Sequence, residues 1–270
     1  MNKSPAQGPV IVDSVTALDP GCRGRVLVTG SHAGRFAAVC AARSGIRAVI
    51  FNDASVGKDA AGIAGLLLLE ELGIAAAAVD AGSAEIGRAQ STWDEGIISH
   101  ANRPARDLNV RQGMFCKEAA ALLADAPVRP VHEMKQTESR ALLDEGPPPV
   151  WALDSASLVS PEDAGAILFT GSHGGLLGGR PETALKAPAR AAVYNDAGTS
   201  LRSAGTSRLP VLEQRGIAAA TVSAASARIG DGRSTYEDGI ISRINACAAQ
   251  AGARIGMTSR EFASLVRKIP

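Results

Sequence analysis

RVLVTGSHAG at residues 25–34 and AILFTGSHGG at residues 166–175 are one motif written twice. Their serines, Ser31 and Ser172, lie 141 residues apart. FNDAS starting at Phe51 and YNDAG starting at Tyr194 match at an offset of 143, and that offset then holds to the end of the chain. It pairs Ser83 with Ser226, Ile86-Gly87 with Ile229-Gly230, Ser91-Thr92-Trp93 with Ser234-Thr235-Tyr236, Asn102 with Asn245 and Gly113-Met114 with Gly256-Met257. Upstream, Asp13-Ser14 pairs with Asp154-Ser155 at 141. A constant spacing through so many identities is a tandem duplication. Its two-residue change falls between the His turn and the Asn-Asp pair. The chain thus divides into a first repeat (residues 1–125), a polar, proline-rich connector (126–149) and a second repeat (150–270). The connector reads as carrying one short helix, ESRALLDEG, and His132 within it has no counterpart.

Within one copy, residues 26–29 form a short apolar run ending in glycine, which predicts a buried strand. Alanine-rich residues 35–44 predict a helix closed by Gly45. Residues 48–51 predict the next strand, 59–72 a helix stopped by Gly73, and 74–79 a third strand. Ser91 followed by Asp94-Glu95 reads as a helix N-terminus, and Thr258 with Glu261 as the cap of the last helix. In the second copy, Pro181 and Pro188 interrupt the helix after the His turn. Uniformly apolar strands alternating with helices define an α/β fold: two tandem homologous units, largely parallel sheets flanked by helices, expected to be related by a pseudo-twofold axis. A leading strand would carry the Asp-Ser pair of each copy.

Composition narrows the function classes. The 270 residues are 46% hydrophobic but only 3% aromatic, so alanine, valine, leucine and isoleucine must fill the core. A net charge of +1 without a basic block, together with few aromatics, argues against nucleic acid as a partner. Residues 60–69, the longest apolar stretch, are too short to span a bilayer, and residues 1–12 lack the pattern of a signal peptide. The four cysteines form no CxxC pair and occupy different positions in the two copies, so they read as reduced thiols of a cytoplasmic protein.

The repeated polar residues converge on one topological place, the carboxyl ends of predicted parallel strands, where open α/β sheets bind ligands. Gly30-Ser31-His32 follows the first strand, Asn52-Asp53 ends the second, and Ser83 follows the third. The second copy repeats this with Gly171-Ser172-His173, Asn195-Asp196 and Ser226. The turn's N–H groups and hydroxyls could cradle a carboxylate, phosphate or oxyanion. His32 and His173 are placed for acid–base work, with Asp53 and Asp196 to orient them. Asn52, Asn195, Ser31, Ser172, Ser83 and Ser226 would contact substrate. Each also has a local reading: His, Asn, Asp and Ser all cap loops. Lys58 occurs only in the first copy, where it could neutralise substrate charge; Leu201 stands at its place in the second. Gly230-Asp231-Gly232-Arg233 likewise replaces Gly87-Arg88-Ala89-Gln90. Such divergence implies either two non-equivalent sites or one composite site.

No P-loop, nucleophile elbow, dinucleotide fingerprint or zinc motif is present, so no cofactor and no metal is called for. The expectation is an enzyme of the hydrolase or isomerase/lyase class acting on a small polar metabolite, expected to be anionic, by His-mediated acid–base chemistry. Its rival is a non-catalytic module that uses the same turns for small-molecule binding. A structural role ranks third, although alanine-rich helices would suit a homo-oligomer.

Overall fold

The computed structural model describes residues 8–130, 134 and 137–268. His132 lies outside the described residues. The chain forms two compact α/β units. The first comprises residues 1–54 and 62–136; the second comprises 55–61 and 137–270. The repeat boundaries read from sequence therefore differ from the compact units at residues 55–61 and in the connector.

In the first unit, five strands lie in the order β1 (Val10–Val12), β2 (Val26–His32), β3 (Ala48–Asn52), β4 (Ala75–Val79) and β5 (Ile98–Ala101). β1 to β4 are parallel and β5 is antiparallel to β4. Strand alternation sends Leu27, Val49, Phe51, Ala76 and Ala78 to one face, against α1 (Arg35–Arg43) and α2 (Ala64–Glu71). Val26, Val28, Ala48, Ile50, Ala75 and Ala77 go to the other, against α4 (Arg103–Asp107) and α5 (Cys116–Leu123). Both faces of β3 and β4 are buried throughout, which is why these strands read as unbroken apolar runs. α3 (Ala89–Glu95) follows β4. It starts before Ser91, so Ser91 is not its N-cap; the Ser91 hydroxyl accepts from the Glu85 N–H (2.9 Å) and donates to Glu95 (2.7 Å).

The second unit has the strand order β11 (Ile241–Ile244), β10 (Ala218–Val222), β9 (Ala191–Asn195), β8 (Ile167–His173), β7 (Val150–Leu153), β6 (Arg140–Asp144). Its helices are α6 (Arg208–Gln214), α7 (Gly232–Glu237), α8 (Ala246–Gln250) and α9 (Ser259–Val266), the last opened by the expected Thr258–Glu261 capping box. β6 corrects the sequence reading, which placed a short helix there. The segment pairs antiparallel with β7. Arg140 pins it by a two-pronged bond to the buried Asp163 (2.9 and 2.5 Å) and by stacking 4.2 Å above Trp151. Helix propensity of an alanine–leucine run yields here to an edge of the sheet and a side-chain anchor that no local pattern displays.

The counterpart of α1 is absent from the second unit, as Pro181 and Pro188 require; 3-10 turns at Leu177–Gly179 and Pro181–Thr183 replace it. Arg208 fills part of the vacated volume. It stands where the first copy has Gly65, is 4% exposed, and donates to the carbonyls of Gly175 (3.0 Å) and Ala184 (2.6 Å). Its guanidinium lies 5.0 Å from the ring centre of Tyr194, whose hydroxyl also donates to Ala184 (3.1 Å). A buried arginine is tolerated because Nε and Nη1 find carbonyls and the guanidinium meets a ring face. Among the described residues, no helix is long and apolar enough to cross a membrane. All four cysteines are free thiols, and burial pushes Cys116 up to about 12, leaving it inert.

Candidate functional site

The sequence-selected residues do gather at the carboxyl ends of the parallel strands in each unit, but most of their polar atoms are spent on holding loops. Gly30 and Gly171 are glycines because loops cross the strand end at contact distance. A Cβ at Gly30 would sit 2.4 Å from the Arg88 nitrogen, and one at Gly171 would sit 2.3 Å from the Asp231 nitrogen. The Ser31 hydroxyl accepts from the Val15 N–H (3.1 Å) and the Ser172 hydroxyl from that of Ala156 (2.8 Å), fastening the Asp-Ser segments. Asp13 and Asp154 in turn accept from Ala89 (2.9 Å) and Gly232 (3.1 Å) at the starts of α3 and α7. Ser83 and Ser226 accept from the N–H groups of Ile97 and Ile240, both at 2.9 Å.

The histidine turns are similarly self-contained. Gly34 donates to His32 Nδ1 (3.1 Å) and Gly175 to His173 Nδ1 (3.1 Å). The N–H of Ala33 goes to the Asn52 carbonyl (3.0 Å) and that of Gly174 to Asn195 (2.8 Å). The N–H groups expected to cradle an anion are therefore already engaged. With Nδ1 accepting, the neutral imidazole carries its proton on Nε2, which makes each histidine a hydrogen-bond donor toward its surroundings. Burial pulls His32 from 6.5 down to about 4, so it is neutral at pH 7 and a weak base.

This shift fixes a pH dependence. Between pH 6.5 and about 4 the unfolded chain binds a proton at residue 32 that the folded chain does not. The stabilising contribution is complete above pH 6.5 and is lost as pH falls toward 4, by about 1.4 kcal/mol per pH unit at most. Urea midpoints measured from pH 7 to 4.5 are expected to fall less steeply in His32→Gln than in the parent chain. Equal slopes would remove the assignment.

Asn52 and Asn195 are wholly buried brackets. Their side-chain oxygens accept from Ala54 and Ala197 (both 2.9 Å), and their amides donate to Ala84 (3.3 Å) and Ala227 (3.0 Å). They anchor an unusual backbone. Ala54, Ser55, Val56 and Gly57 have φ of 48, 57, 64 and 68°, and Ala197, Gly198, Thr199 and Ser200 have 49, 69, 72 and 61°. Left-handed conformations cost each non-glycine residue roughly 1–2 kcal/mol, more where the side chain is β-branched as in Val56 and Thr199. Strain kept in both copies, beside the strand ends, marks these turns as places where shape matters more than stability.

The aspartates part company. In the second unit, Asp196 Oδ1 accepts from Gly198 and Ala224 (both 2.9 Å), and no hydrogen bond is made to Oδ2 among the described residues. Asp196 lines an open pocket of about 500 Å³ together with Ser55, Lys58, Thr199 and Ser223. Lys58 is tied in by its backbone N–H to the Ala224 carbonyl (2.8 Å) and by its ammonium to Asp238 (2.9 Å). Arg228 extends the charge network to Asp59 (3.1 Å) and Asp231 (3.1 Å). The second unit thus brings together Asp196 and Lys58, with hydroxyls that the sequence did not single out. In the first unit, Asp53 instead accepts from the Ala81 N–H (2.9 Å) and from the Ser99 hydroxyl (2.7 Å). Ser99 and His100 belong to no motif that selects them from sequence, and Arg243 stands in place of His100 in the second copy. The only available signal was the proximity of serine and histidine in sequence.

Among the described residues, no three His, Cys, Asp or Glu side chains converge to hold a metal ion. No family model, no curated protein and no solved structure matches the chain. Fold and geometry define its class: a duplicated α/β protein with two mostly parallel sheets flanked by helices. Within that class it is distinguished by paired left-handed turns at the strand ends and by polar clusters that have diverged between the copies.

Proposed function

We propose that the protein is an enzyme that takes a small polar metabolite into the second unit's pocket and works on it by proton transfer, as a hydrolase or an isomerase/lyase. The observation that carries this reading is Asp196. One carboxylate oxygen is pinned by two N–H groups while the other is left to the pocket, on the edge where α/β sheets bind ligands. A carboxylate so oriented accepts a proton or a hydrogen bond from a substrate O–H or N–H. Lys58, 29% exposed at its side chain, supplies a cation for an anionic or carbonyl oxygen of the same substrate by exchanging away from Asp238. The histidines enter as loop anchors through Nδ1, and His32, neutral at pH 7, is a weak base.

A screen of small hydroxy acids, amides and lactams by thermal shift, followed by NMR of the same mixtures, tests both halves. A ligand that stabilises the parent chain is expected to bind Asp196→Asn at least tenfold more weakly, about 1.4 kcal/mol. Equal stabilisation of the parent, Asp196→Asn and Lys58→Met would sink the site. The engagement of both Nδ1 atoms within their own turns favours a second reading, a ligand-binding module without chemistry. Binding with no substrate consumed in the NMR series would select it.

A further inference from the structure

The first unit carries a serine–histidine–carboxylate cluster outside the pocket described above. β5 pairs Ala78 with His100 and Val79 with Ile98, and the register breaks between them, leaving Ser99 in a bulge. Bulges re-aim side chains, and this one turns the Ser99 hydroxyl onto Asp53 Oδ2 at 2.7 Å. On its other side, the His100 Nδ1 lies 3.0 Å from Ser99 Oγ. The same Asp53 oxygen is 3.9 Å from that ring nitrogen. Asp53 is 3% exposed and braced by the Ala81 N–H, whereas the His100 side chain is 39% exposed, so a reagent can reach the outer side of the cluster. The second unit lacks the arrangement. Ser242 lies 3.0 Å from the Thr221 hydroxyl, Arg243 replaces His100, and Asp196 Oδ1 is bonded to Gly198 and Ala224.

From this juxtaposition we propose that Ser99 is a nucleophile for acyl transfer from small esters, with His100 as its proton acceptor and Asp53 as the positioning carboxylate. A hydroxyl is a weak nucleophile until a base within hydrogen-bond reach can take its proton. In the attack, the Ser99 O–H rotates from Asp53 Oδ2 to His100 Nδ1, 3.0 Å away; Oγ forms a bond to the ester carbonyl carbon and the proton passes to Nδ1. The imidazolium so formed lies beside the Asp53 carboxylate, which stabilises it. The carbon–oxygen bond to the alcohol then breaks, and the leaving oxygen takes the proton from His100. Water, deprotonated by His100, attacks the acyl-serine; Ser99 Oγ leaves, regains the proton, and the acid is released. No group beyond ester and water is required. This assignment does not depend on the pocket of the second unit.

A fluorophosphonate probe, which reacts with activated serines, tests it on the full chain with peptide mapping by mass spectrometry. Labelling is expected at Ser99, to be lost in Ser99→Ala and to persist unchanged in Ser242→Ala. His100→Gln, a change at a half-exposed side chain, keeps the fold testable and is expected to slow labelling at least tenfold. Hydrolysis of a p-nitrophenyl acetate reporter is expected to fall in the same order. Labelling at another serine, or an unchanged rate in His100→Gln, would overturn the proposal.

Discussion

Asn245→Ala is expected to destabilise the second unit by roughly 3–5 kcal/mol, enough to remove much of the stability of an ordinary domain. The side chain is 5% exposed and makes four bonds to backbone groups. Its oxygen accepts from Ala219 (3.0 Å) and Ala248 (3.0 Å), and its amide donates to Ile217 (2.9 Å) and Leu209 (3.4 Å). One residue thereby ties the start of β10, the cap of α8 and a carbonyl of α6. Alanine would leave those donors and acceptors buried and unmet, each at about 1–3 kcal/mol, less than additively because the site can relax. Asn102 holds the same place in the first unit, with Ala76 (3.0 Å), Ala105 (3.1 Å), Ile74 (2.9 Å) and Leu66 (3.3 Å). Asp in place of either Asn keeps the accepted bonds but turns a carboxylate against two carbonyls, so it should not rescue. Urea denaturation of Asn102→Ala and Asn245→Ala reads both effects. A loss below 1 kcal/mol in either would show that the bracket is dispensable.

Gly171→Ala should be at least as damaging, at about 3 kcal/mol or more, or should prevent the second unit from folding. The added methyl would meet backbone on three sides: the Asp231 nitrogen at 2.3 Å, the Asp154 oxygen at 2.6 Å and the Gly230 carbon at 2.6 Å. None of these is the end of a flexible side chain, so strand β8, the Asp154 segment and the loop before α7 would have to separate. The Gly230 N–H to Gly171 carbonyl bond (2.7 Å) resists that separation. Ser172→Ala, one residue on, loses only the bond from the Ala156 N–H and is expected to cost about 1 kcal/mol. Comparing the two by circular dichroism and thermal melting separates the packing role of the glycine from the fastening role of the serine. Similar melting of Gly171→Ala and the parent chain would mean that the loops yield freely.

These two positions also show how far reading a sequence can reach. The duplication was legible because it is a one-dimensional fact, a spacing that recurs. The parallel sheet was legible because strands buried on both faces are apolar at every position, as in β4. An interruption of the helix after the second His turn was legible from Pro181 and Pro188, whose effect on the backbone is local, and 3-10 turns stand there. The edge of the sheet at which the polar residues gather followed from their place after each strand. All of these are properties of neighbouring residues.

What each polar atom does is decided across distances of tens of residues, and only the tertiary structure settled it. Ser31 and Ser172 looked like ligand contacts but are fasteners for segments 16 residues earlier in the chain. Asn52-Asp53 and Asn195-Asp196 are nearly the same words, yet Asp53 meets Ser99 while Asp196 leaves an oxygen to a pocket. Residues 140–144 have a helical composition and form a strand, because Asp163 and Trp151 hold Arg140 at the sheet edge. Ser99 and His100 sit side by side in sequence, and the bulge in β5 brings them to Asp53. Sequence determined the repeat, the class of fold and the edge where polar residues collect, since backbone preference and burial act through near neighbours. Tertiary packing decided which of those residues are spent on the scaffold and which remain available for chemistry, since a hydrogen bond depends on angstroms between atoms that the chain itself places far apart.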